Sequence, residues 1–188
     1  MPSPAGSSTA AMWRTLFEAA GILDGVEWTY GSWRESYDAL RAGSVDCIPS
    51  LLTNGRPAPI LSELTTTVPV RMLPVSEDIM SRAKALNPGI ATGTVPGGVV
   101  AGVEEDVLAA SFSGVLAAQK DLDPEVAYQV MKAIFDNTEQ VQELGVQFKD
   151  IELQFAVDYL LETFPVSQGA ARYYREKGVW RDDLTEAS

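Results

Sequence analysis

Three times in its first ninety residues the chain opens an apolar stretch of helical period with a serine and closes it with a glycine or an Asn-Pro-Gly turn. Short β-branched or aromatic runs lie between these stretches. A chain written this way can fold into few things, because helices and strands in strict alternation bury their faces best as a sheet covered by helices. The first period carries Met12, Trp13, Leu16, Phe17 and Ala20, with Gly21 as its stop, and either Ser7 or Ser8 can cap its start. Val26–Tyr30 alternates as a strand does. Ser32 and Glu35 then form a capping box for a helix that runs through Tyr37 and Leu40 to Ala42, where Gly43 ends it. Val45–Ser50 reads as a second strand, Leu51–Pro57 as a turn-rich loop and Pro59–Thr65 as a short helix. Val68–Val75 is a third strand, placed at an edge by Pro69 and Pro74. Ser76 opens one more helix, acidic at its start and basic towards its end, as the helix dipole favours. The expectation is a mainly parallel αβ lobe over residues 1–92.

The pattern changes after that. Thr92–Gly98 is rich in turn residues and is the candidate hinge. Residues 93–188 form a second part in which Val107–Ala118 is strand-like at first and the rest is mostly helical. Asp123-Pro124 is a helix start with proline in the first helical position. Ile151, Phe155 and Tyr159 recur at helical spacing, and Ser167 caps a last helix that carries Arg172, Tyr173, Tyr174 and Arg175 and ends at Gly178.

Composition enters mainly by what it removes. The formal net charge of −12 argues against nucleic acid and against an anionic membrane surface as partners. With no histidine there is no Ser-His-Asp or Cys-His machinery and no imidazole metal ligand. The one cysteine, Cys47, lies in an apolar run as a structural thiol would and excludes an internal disulfide. No cofactor and no metal is called for. No apolar run is long enough to span a membrane, and the residues after Met1 lack the basic-then-apolar order of a secretory signal.

Ligands of an open α/β sheet sit in the loops that leave its strands for helices. Three such loops hold the candidate binding residues. Gly6, Ser7, Ser8 and Thr9 offer amides, hydroxyls and the positive end of a helix dipole to a carboxylate or phosphate, although a serine there equally well caps a helix and does nothing more. Ser32 and the flat face of Trp33 form the second group, with Trp33 equally suited to packing at a helix start. Thr53, Asn54 and Arg56 form the third, in which Arg56 can grip a carboxylate bidentately or stand solvated.

These residues resemble a known family. Gly6-Ser7-Ser8-Thr9 is similar to the Gly-Ser-Gly-Thr motif of TAXI-type solute-binding proteins, which serve tripartite ATP-independent periplasmic (TRAP) transporters. Ala39–Cys47 resembles that family's A-L-x-x-G-x-V-D-A segment, Val95–Gly102 its I-P-x-G-x-Y-x-G, and Tyr128–Phe135 its Y-x-x-x-K-A-L-F helix. The most specific match is Gly169–Gly178 with its C-terminal G-A-x-R-Y-Y-R-E-K-G. There are departures: a serine replaces the second glycine of the first motif, Val100 stands for the tyrosine, and Ser167-Gln168 stands for a His-Pro. The resemblance implies a class II periplasmic-binding fold, a periplasmic location, a small organic anion such as glutamate or another carboxylate as ligand, and the membrane subunits of a TRAP transporter as partner. It also implies an N-terminal αβ segment ahead of the first motif, so that this chain corresponds to one complete lobe plus the returning C-terminal part of the other. Closure about Thr92–Gly98 would complete the site.

Two other readings stay open. One is an enzyme on the same fold, with Glu35, Asp46 and Glu104 as its only acid–base candidates. The other is an interaction module that compensates for a missing lobe by pairing with a second copy of itself.

Overall fold

The computed structural model of the protein describes Met1, residues 4–53 and residues 55–187. Contacts divide it into two units, Met1–Phe112 and Ser113–Ser188.

In the first unit the serine-opened periods become helices as expected. Ser7 rather than Ser8 is the N-cap of α1 (Ser8–Ala19). Both halves of the Ser32–Glu35 capping box are formed at α2 (Trp33–Arg41). Two short strands, β1 (Leu52–Thr53) and β2 (Arg56–Pro57), make a tight antiparallel hairpin ahead of α3 (Pro59–Thr67). Ser76 caps α4 (Glu77–Leu86). Then β3 (Ala91–Val95) pairs antiparallel with β4 (Val107–Ser111), with Val95 opposite Val107 and Ala91 opposite Ser111.

β4 divides this unit into layers. Its Leu108 and Ala110 join Leu16, Ala19, Met80, Ala83 and Ile90, the core built by α1 and α4. Its Val107 and Ala109 face the other way, into the core of Tyr37, Leu61, Leu64, Val95, Val100 and Val103 contributed largely by α2 and α3. A strand with apolar residues on both faces needs helices on both faces, and it has them. The result is a mixed α/β arrangement.

The expected parallel sheet is a different matter. Among the described residues the strands form two separate antiparallel hairpins, and the one parallel contact is an isolated bridge between Val166 and Glu186. Val26–Tyr30, Val45–Ser50 and Val68–Val75, all expected as strands, form no ladder. β-propensity stiffens a run locally, but a ladder needs a partner supplied by distant chain. Pro49, Pro69 and Pro74 also remove backbone donors from two of the three runs. β3 and β4 pair because eleven residues of connection bring them together at small entropic cost.

The stretch Thr92–Gly98 needs correcting as well. It is most of β3 plus the start of the β3–β4 connection, not a boundary: the Gly97 amide is held by Asp106 at 2.9 Å, and Val100 and Val103 are buried in the core. The units meet at Phe112/Ser113, so residues 93–112 pack with the first part of the chain rather than with the second.

The second unit is helical: α5 (Pro124–Phe135), α6 (Thr138–Glu143), α7 (Leu153–Asp158) and α8 (Gln168–Glu176). The longer helix expected around Ile151, Phe155 and Tyr159 is only the six residues of α7. Its last carbonyls are gathered by one side chain, since Arg181 donates to the carbonyls of Val157, Asp158 and Leu160 at 2.9, 3.1 and 3.2 Å. α5 and α8 pack so closely at Gly169 that any Cβ there would run into the Pro124 carbonyl and the Tyr128 amide. Around this crossing Met131, Val157, Ala171, Tyr173 and Tyr174 form the core.

Candidate functional site

The first loop is a type II turn feeding a helix. The Ser7 amide donates to the Pro4 carbonyl at 3.1 Å, and Gly6 takes the φ of 78° that the third turn position requires. The Ser7 hydroxyl accepts from the Ala10 amide at 3.2 Å. It therefore serves the helix. The amides of Ser8 and Thr9 have no protein acceptor among the described residues, and the first turn of α1 carries no acidic side chain. Of the helices longer than two turns, α2, α4 and α5 place Glu or Asp in that turn, whereas α1, α3 and α8 do not.

The second loop is occupied by its own helix. The Ser32 hydroxyl accepts from the Glu35 amide at 3.3 Å, and the Ser32 amide donates to the Glu35 carboxylate at 2.7 Å. The donation from the Ser32 amide, reinforced by the Ser32 side chain, holds the Glu35 carboxyl below its ordinary range. Glu35, one of the three acid–base candidates, is committed to capping. Trp33 is half-buried, with its ring centroid 6.4 Å from that of Tyr37, and belongs to the core beside it.

The third loop is the β1–β2 hairpin. Thr53 pairs with Arg56 across it, and both are exposed. Arg56 forms no ion pair among the described residues. Asn54 lies outside the described residues.

One residue that the sequence reading passed over ties the second and third loops together. Tyr37 is fully buried, its ring against Trp33 and its hydroxyl accepting from the Leu51 amide at 3.1 Å, directly ahead of β1. Burial pushes its own titration up. The signal was present as an aromatic pair at i, i+4 on α2, but nothing local says which backbone amide a tyrosine hydroxyl will meet. The first loop is anchored apart from these, in the α1–α4 core. Its neighbour Met1 reaches across, with its methyl against Gly31 and its amine donating to the Cys47 carbonyl at 2.7 Å. Burial pushes the Cys47 thiol up, which disfavours its thiolate.

A cleft of about 370 Å³ lies in the second unit, lined by Pro124, Gln168, Gly169, Arg172, Arg175 and Glu186. Its arginines are already engaged: Arg172 pairs with Glu125 at 2.7 Å and stacks on Tyr128, while Arg175 pairs with Glu186 at 2.5 Å and stacks on Trp180. None of the residues selected from sequence lines it. Among the described residues no cluster of metal-ligating side chains is found, and no helix is long and apolar enough to cross a membrane.

Comparison with known proteins adds one finding. A sequence model of the NMT1-like family matches residues 2–178, and the chain belongs to that family, which is one of periplasmic-binding-type proteins that capture solutes. No curated protein matches the chain at a significant level.

Proposed function

From membership of the NMT1-like family, we propose that this chain is the ligand-capturing part of an extracytoplasmic receptor for a small organic anion, an amino acid such as glutamate or another carboxylate. The receptor delivers that anion to the membrane subunits of a TRAP-type secondary transporter. The family supports solute binding in general. The likeness of the Gly6–Thr9, Val95–Gly102 and Gly169–Gly178 stretches to TAXI-type receptors supports the narrower reading. One observation carries the choice of an anion: the start of α1 presents the amides of Ser8 and Thr9, which have no protein acceptor among the described residues, and it carries no acid in its first turn. In this reading the ligand carboxylate sits on those amides and on the Ser8 and Thr9 hydroxyls. Binding shifts the receptor toward a closed form only by as much as the ligand prefers that form.

A thermal-shift panel of glutamate, dicarboxylates, 2-oxoacids and phosphate tests this. A ligand at a hundredfold excess over its dissociation constant stabilises the native state by about 2.7 kcal/mol, which is readily seen. The expected result is a shift for one acid class that weakens in the Ser8→Ala/Thr9→Ala variant, which loses both hydroxyls and keeps both amides. No shift with any anion, or a shift unchanged in that variant, overturns the reading.

A further inference from the structure

No further inference is drawn: the strongest candidate, the cleft beside α8 in the second unit, carries nothing, because its two arginines, Arg172 and Arg175, are already paired with the chain's own Glu125 and Glu186 and nothing among the described residues points to a ligand in it.

Discussion

Tyr37 should be the most expensive hydroxyl in the first unit to remove. Its ring has no exposed surface, and its oxygen is the acceptor for the Leu51 amide at 3.1 Å. Tyr37→Phe keeps the ring and its packing against Trp33 but leaves that amide without an acceptor in a partly buried position. An unsatisfied buried donor costs about 1–3 kcal/mol, more than the net worth of the hydrogen bond, because the group has lost water as well. A value near 1.4 kcal/mol lowers the folded-to-unfolded ratio tenfold and lowers the melting temperature by about 4–8 °C for a unit of this size. Tyr37→Ala removes the ring too and should cost about 3–5 kcal/mol. Urea denaturation of the two variants gives these differences. Amide hydrogen exchange locates them: in Tyr37→Phe the Leu51 amide should exchange faster by more than the global loss of stability explains, while amides within α4 follow the global change. A Tyr37→Phe variant as stable as wild type, or one whose Leu51 amide exchanges only in step with α4, would refute the view that this bond fixes the β1–β2 hairpin to α2.

Three more expectations concern the second unit. Gly169→Val drives a side chain into the Pro124 carbonyl and should cost about 1–3 kcal/mol, measured by thermal or urea denaturation, as α8 is forced off α5. Burial pushes the Tyr174 hydroxyl up to about 12. Because that value lies above the unfolded one near 10, its contribution is complete below pH ~10 and is lost as the pH rises towards about 12. Stability followed over that range should fall less steeply in Tyr174→Phe. At the acid end, the Lys177 ammonium, with the Tyr173 hydroxyl beside it, holds the Asp136 carboxyl below its ordinary range. That contribution is present above the unfolded value and is lost as the pH falls below ~3.9, so Asp136→Asn should flatten the acid limb of a pH–stability curve.

The helices were legible because their instructions are local. A cap, a period and a stop lie within a dozen residues of one another, so Ser32 with Glu35, Ser76 with its acidic first turn, and Ser167 ahead of α8 could each be read without knowing what they pack against. The absence of histidine and the net charge of −12 were equally final, because no fold can supply a side chain that the sequence lacks. Pairing was not legible. Val26–Tyr30 reads as a strand as clearly as β4 does, yet only β4 has a neighbour in reach, and the glycine-rich run around Thr92 became a strand because Val107–Ser111 lies opposite. The candidate residues fared in the same way. That a serine could cap a helix was plain from the sequence, but that Ser32 has its amide and hydroxyl consumed while the Ser8 and Thr9 amides meet no acceptor among the described residues depends on contacts in space. Tyr37 shows the difference most simply. Its helix, its neighbours and its ring were written in the sequence, whereas its bond to Leu51 spans fourteen residues and exists only because the fold closes a loop that local preferences leave open.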